Sequence, residues 1–340
     1  MNTDRNISDI SIDETEGMRE VSPRRKISSF VIRFAVSVAL ILIIFKSIDL
    51  HVFKEIVVSP NLLPILAMVA FSLFFVFLGG LKLWILFRGF SSISLWIFTG
   101  YYFFAGSIGS LAPAIFGDFT LIGLAKRSQI PFHKSISAIL MDRCITLVIA
   151  LFIFTPFTLV FVLPFDLASI FLLTAAAFVF FVGFVWIALR FVPSLFGKYA
   201  VTKRFWESFS LFFGQHRSSL YKNIFISGLR AVVSGLTLIL ALMAANLTPP
   251  VFPTICISNS LSVLTHIPVS LSGLGIFEGS GLILFEAIGL NREQVLAGLL
   301  YHRVYIILWA VLTSLILMLF FALKKTGAKH DVHKECKGFK

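Results

Sequence analysis

The chain reads as an all-α polytopic membrane protein with about six full spans and two broken or re-entrant helical segments. Three observations predict this. Of its 340 residues, 58% are hydrophobic, 39 are Phe and only 14% are charged, for a mean hydropathy of +0.94; no water-soluble domain hides that much apolar surface. Several windows run for about 20 residues with almost no charge, the length that crosses a hydrocarbon core of roughly 30 Å. Finally, two apolar stretches carry Gly, Pro and a carboxylate together, which a plain spanning helix avoids.

Residues 1–29 form a polar tail, acidic up to Glu20 and basic through Arg24, Arg25 and Lys26. The apolar run that follows lacks a small-residue cleavage site, so it reads as an uncleaved first helix. Clear spans fall at 30–48, 62–86, 136–163, 167–190, 222–246 and 295–323. An integral membrane domain is therefore expected over 30–323, with a basic tail over 324–340. The loop 191–221 interleaves Phe205, Trp206, Phe209, Phe212 and Phe213 with Lys203, Arg204 and Arg217, and reads as an interfacial amphipathic helix.

The first broken segment, 96–118, holds Ser110, Pro113, Gly117 and Asp118; the second, 251–290, holds His266, Pro268, Gly273, Gly275 and Glu278. Pro113, Gly117, Pro268, Gly273 and Gly275 are the expected helix breaks. Non-helical backbone at membrane depth persists only where protein or water covers it, so each segment is expected to line a cavity. Broken apolar segments at corresponding places in two halves mark a transporter built on repeats.

Basic residues choose the topology. Arg88, the run Lys126, Arg127 and Lys134, the loop 190–222 and the C-terminal tail all favour the cytoplasmic side, as do both termini. For Arg88 and Lys126 to share a side, 96–118 must turn back on itself, as two half-helices of about 11 residues that each reach roughly 16 Å. Residues 251–290 must likewise cross twice or not at all. In the second case they enter from the opposite side, and the two segments form an inverted pair.

The net charge of +12 sits in short loops between apolar segments, where it sets orientation and attracts anionic headgroups rather than nucleic acid. Cys144, Cys256 and Cys336 follow no metal or disulfide pattern. The tail run His330, His333 and Cys336 reads as solvated basic sequence. There is no Walker loop, dinucleotide fingerprint, nucleophile elbow or zinc signature, so neither catalytic residue nor cofactor nor metal is assigned.

Charges within the membrane are the remaining signal. Asp118 either lines a functional site or caps a turn. Asp142 and Arg143 are neighbours on one helix, face different sides and need separate partners. Arg230 and Arg303 suit a phosphate, for which guanidinium is well shaped, or an ion pair with Glu278, Glu286 or Asp142. Lys82 reads as a snorkelling anchor. Glu278 and Glu286 lie two turns apart on one face, too far along the axis for joint chemistry on one bond. The lipid-path candidates are Asp118, Asp142, Arg143, Arg230, Glu278 and Arg303.

Two patterns together resemble the lysylphosphatidylglycerol synthase transmembrane-region family over roughly residues 30–323. One runs from Pro113 through Gly117-Asp118 to Asp142-Arg143. The other is Pro268-x-Ser270-x-x-Gly273-Leu274-Gly275-x-x-Glu278, then Gly289 and Arg303. The resemblance implies a flippase-like domain that moves aminoacylated phosphatidylglycerol or related lipids, with Asp118, Arg143, Glu278 and Arg303 on the headgroup path. The family often has Arg three residues after the position of Asp118, where Leu121 stands here. With no soluble aminoacyl-transfer domain in the chain, the resemblance implies a stand-alone member.

The expected function is binding and flipping of an anionic or aminoacylated phospholipid, or another phosphate-bearing lipid, in a bacterial cytoplasmic membrane. The expected partners are a membrane phospholipid or polyprenyl-phosphate lipid and an envelope-biosynthesis enzyme. The alternatives are an intramembrane transferase with a polyprenyl-phosphate donor and a non-catalytic partner of an envelope glycosyltransferase or synthase.

Overall fold

The computed structural model describes residues 23–111, 114–164, 166–196, 200–265, 273–312 and 315, all helix or connecting turns. The first apolar run forms α1 (Pro23–Lys46), which bends by 101° into α2 (Leu50–Val58). Asp49 makes that second helix possible: its carboxylate accepts the His51 and Val52 N–H groups, capping α2 within what the sequence suggests is a short loop. Asn61 caps α3 (Leu62–Arg88) in the same way, through Leu63.

The first broken segment is two helices, α4 (Leu95–Leu111) and α5 (Ala114–Arg127). The second arm therefore runs nine residues beyond the boundary expected at 118, and Lys126 and Arg127 complete its last turn, where cations favour the helix dipole. Pro113 lies outside the described residues. Next come α6 (Phe132–Val162), which carries a π turn over Ala150–Phe154, α7 (Leu167–Phe196), α8 (Ala200–Ser210) and α9 (Arg217–Ala244). The second broken segment is also two helices, α10 (Val251–Leu264) and α11 (Ile276–Ala287), followed by α12 (Arg292–Leu312). His266, Pro268 and the tail from residue 316 lie outside the described residues.

Four of these helices, α3, α6, α9 and α12, are long and apolar enough to cross a membrane, and the bent α1–α2 pair makes up to five. The chain is thus a multi-pass helical membrane protein. On α7, Leu172, Leu173, Val179 and Phe180 are each at least 69% exposed, a face suited to lipid and not to water.

The centre of the fold is an antiparallel pair. Asn61 N–H donates to the Ala244 carbonyl at 3.0 Å at one end of α3 and α9, and Asn223 Nδ2 donates to the Lys82 carbonyl at 2.8 Å at the other. On either side, each of these helices begins a unit with the same order: long helix, two short arms, long helix. The units are α3–α6 and α9–α12, and two apolar cores match them. One gathers Leu86, Phe87, Phe98, Ala125 and Met141; the other gathers Leu242, Ile257, Leu261, Phe285 and Leu296.

Glycine lets neighbouring helices meet in both units. A Cβ on Gly117 would stand 2.7 Å from the Ala105 carbonyl oxygen, so α5 packs directly on α4. In the second hairpin the close approach is to the following helix, where a Cβ on Gly281 would stand 2.7 Å from Leu299 of α12, while Gly273 and Gly275, at φ 73° and 82°, turn the chain into α11.

The aromatic helix α8 departs from expectation. Phe209 and Phe212 are buried, Phe212 packs edge-on against Phe90 at 5.3 Å, and Ser137 Oγ donates to the Phe205 carbonyl. The helix thus packs on α6 and buries Phe209, and the turn after it carries Phe212 onto Phe90 and leaves Phe213 exposed.

Candidate functional site

Two ion pairs with the same spacing anchor the two units. Arg143 Nη2 donates to Asp118 Oδ1 at 2.8 Å, and Arg303 Nε donates to Glu278 Oε1 at 2.8 Å; each pair is separated by 25 residues. In both, the acid lies in the first half of a hairpin's second arm and the arginine lies on the long helix that follows. Local structure explains the second acid's place. Glu278 is the third residue of α11, and its other oxygen accepts the Gly275 N–H at 2.7 Å, a capping interaction that fixes the carboxylate before Arg303 meets it. Arg303 Nη2 also reaches the Gly273 carbonyl at 3.3 Å.

The pairs differ in burial. Glu278 is 3% exposed and Arg303 17%, whereas Asp118 and Arg143 are 30% and 47% exposed. The first is a locked bridge; the second borders open space. Glu286, two turns from Glu278, faces outward and lies 3.6 Å from Arg292.

A third pair was not legible in the sequence. Lys82 is buried, not snorkelling: its Nζ lies 3.0 Å from Asp142 Oδ2 and donates to Thr146 Oγ1 at 2.7 Å. Asn223 completes the cluster by donating to Asp142 Oδ1 at 3.0 Å. Asp142 thereby joins α3, α6 and α9, which is its structural job, while its neighbour Arg143 points to the hairpin. Burying these charges is tolerable because each has both a counter-ion and hydrogen bonds.

Residues of these pairs border two cavities. The first, about 230 Å³, is bordered by Lys82, Asp118, Asp142, Arg143 and Arg230, with Gly106, Gly109, Ser110 and Gly117 from the hairpin. It brings together four of the six lipid-path candidates. Its three cations face two acids, and Arg230 is the one without a carboxylate among the described residues: its guanidinium stacks 3.9 Å over Phe75, with Nε buried and unpartnered.

The second cavity, about 260 Å³, is bordered by Ser72 and Phe75 of α3, Ser234 and Thr237 of α9, Ser258, Ser262 and Thr265 at α10, and Phe277, His302, Arg303 and Tyr305. The Phe277 and His302 rings stack at 5.9 Å. Six Ser and Thr residues contribute to this lining, whose exposed surface is nonetheless mostly apolar, and no sequence motif announces them. Arg230 of the first cavity's lining touches Phe75 of the second's.

A larger apolar cavity, about 680 Å³, lies among α6, α7, α8 and α9, lined by Ile145, Ile149, Phe152, Phe178 and Phe209. Having no charged group, it offers no headgroup chemistry. Among the described residues no cluster of His, Cys, Asp and Glu is arranged to hold a metal ion.

The family model described as lysylphosphatidylglycerol synthase TM region matches residues 30–314. No curated protein and no solved structure matches the chain.

Proposed function

The chain belongs to the lysylphosphatidylglycerol synthase TM region family, and on that premise we propose that it binds a phosphate-bearing lipid and moves it between leaflets. Membership supports lipid handling in a membrane. The movement rests on one observation: two hairpins, each with an acid–arginine bridge spanning 25 residues, sit in units whose first helices pack antiparallel.

That arrangement fits an inverted repeat, in which the hairpins enter from opposite sides and meet near the midplane. On this reading each hairpin opens a cavity toward one side, and Arg230 of the first cavity's lining stacks on Phe75 of the second's. A headgroup passing from one cavity to the other crosses the bilayer inside protein, while its chains stay in lipid. Arg230 attracts the phosphate, and Arg143 and Arg303 line the approach, each restrained by its acid.

The first hairpin's arms end at Leu111 and resume at Ala114, and the second's end at Leu264 and resume at Ile276; interrupted helices of this kind suit re-entrant segments. We place the protein in a bacterial cytoplasmic membrane with both termini cytoplasmic, since the basic loops then lie inside. Purified protein in proteoliposomes is expected to exchange fluorescent phosphatidylglycerol between leaflets. Failure of properly folded protein to exchange that lipid or a polyprenyl-phosphate sugar would contradict translocation.

A further inference from the structure

We infer that the lipid accepted here carries a neutral, hydroxylated headgroup on its phosphate, glycerol or a sugar, rather than an aminoacylated one. This rests on the lipid-binding reading above and narrows it to a substrate class.

The charge inventory of the two cavities carries the inference. An ammonium headgroup needs a carboxylate, because a cation held in a membrane interior without one is costly. Both acids of the first cavity are engaged: Asp142 by Lys82 and Asn223, Asp118 by Arg143. The second cavity has no acid in its lining among the described residues. Glu278 stands behind it, one oxygen bound by Arg303 and the other by the Gly275 N–H. Arg303 itself borders the space and repels a second cation. Arg230, with three cations facing two acids, leaves one positive charge for a phosphate.

The second cavity offers hydroxyl chemistry instead. Six Ser and Thr residues, Ser72, Ser234, Thr237, Ser258, Ser262 and Thr265, line it. The hydroxyls of Thr237 and Thr265 donate at 2.7 Å to carbonyls one turn back in their own helices, so their oxygens keep lone pairs for a ligand hydroxyl to donate to. The stacked Phe277 and His302 rings give a flat wall. A volume of about 260 Å³ equals the share of about eight or nine waters in the liquid, enough for a compact polyol. Arg230 stacks on Phe75, a residue of the second cavity's lining, at 3.9 Å, so the cation without a carboxylate lies against the wall of the cavity assigned to the headgroup.

Native mass spectrometry of the purified full chain tests this with equimolar phosphatidylglycerol, lysyl-phosphatidylglycerol and phosphatidic acid of the same acyl chains. Phosphatidylglycerol is expected to exceed the lysyl lipid at least tenfold. The Thr237→Val, Thr265→Val double variant breaks no bond between helices; it is expected to lower phosphatidylglycerol occupancy about fivefold, as loss of a hydrogen bond does, and to leave phosphatidic acid unchanged. Equal or greater occupancy by the lysyl lipid overturns the inference and leaves translocation standing. Retention of phosphatidylglycerol by the double variant removes the headgroup from the second cavity, and binding of none of the three lipids overturns the lipid-binding reading as well.

Discussion

Arg303 donates to Glu278 at 2.8 Å across a 25-residue separation, and the carboxylate it meets is 3% exposed. The bridge ties α12 to the start of α11 at the point where the second hairpin turns. Removing Arg303 strands the Glu278 carboxylate, itself 3% exposed, without its counter-ion. Arg303→Gln is therefore expected to cost about 3–5 kcal/mol of stability, and the Glu278→Gln, Arg303→Gln double variant to recover most of it. Thermal unfolding in detergent checks this; equal loss in single and double variants would show that the bridge is not the cause.

Lys82 and Asp142 make the same argument for the centre of the fold. With Lys82 only 3% and Asp142 8% exposed, Lys82→Met alone is expected to destabilise by about 3–5 kcal/mol, and Lys82→Met with Asp142→Leu by far less. Asn223 loses one of its two acceptors in the double variant, keeping the residue-82 carbonyl, so recovery should remain partial.

Asp118 behaves differently. Its pair with Arg143 is 30–47% exposed, so Asp118→Asn should change stability by about 1 kcal/mol or less. If Asp118 restrains Arg143 at the mouth of the cavity, the same variant should nonetheless lose leaflet exchange. A folded Asp118→Asn protein with unaltered exchange would reduce the pair to a structural contact.

The hairpin contact gives a packing prediction. A Cβ at Gly117 would press on the Ala105 carbonyl at 2.7 Å and the Gly109 Cα at 3.1 Å, both backbone atoms with little room to yield. Gly117→Ala is expected to cost about 1–3 kcal/mol, whereas Gly123→Ala on the same helix, with nothing within 4 Å, should be neutral or better because Ala favours helix. Melting temperatures of the two variants decide it.

Topology is checked by labelling single cysteines at Ser128 and Asn291 in a cysteine-free background. The inverted arrangement expects Asn291 to label from outside intact cells and Ser128 only after permeabilisation. External labelling at 128 would make the first hairpin an ordinary crossing.

That both segments are interrupted, and which four charges mark them and the helices that follow, was readable because Gly, Pro and ionisable residues are conspicuous in apolar sequence; Gly117, expected at a break, instead lies within α5 as a packing contact. Asp118, Arg143, Glu278 and Arg303 stand out by cost alone. Glu278 was one of three partners the sequence offered Arg303, and Arg143 had no named partner, since a separation of 25 residues singles out no pair until two helices are packed. Lys82 misled because a lysine near the end of a span ordinarily snorkels, and only the tertiary position of Asp142 shows that it turns inward. Asn223 and the cavity's Ser and Thr residues give no charge signal. Phe75 is one of 39 phenylalanines, so nothing in the sequence marks it as the ring beneath Arg230.

The most direct test of translocation is leaflet exchange of acyl-labelled phosphatidylglycerol in proteoliposomes, comparing wild type with Arg230→Gln. Arg230 makes no ion pair among the described residues and stacks on Phe75, so the variant should fold and lose at most about 2 kcal/mol. Wild-type protein is expected to exchange the lipid and the folded Arg230→Gln variant to lose at least tenfold in rate. Wild-type exchange no faster than protein-free vesicles, or a folded variant that exchanges at the wild-type rate, would contradict a phosphate path through these cavities.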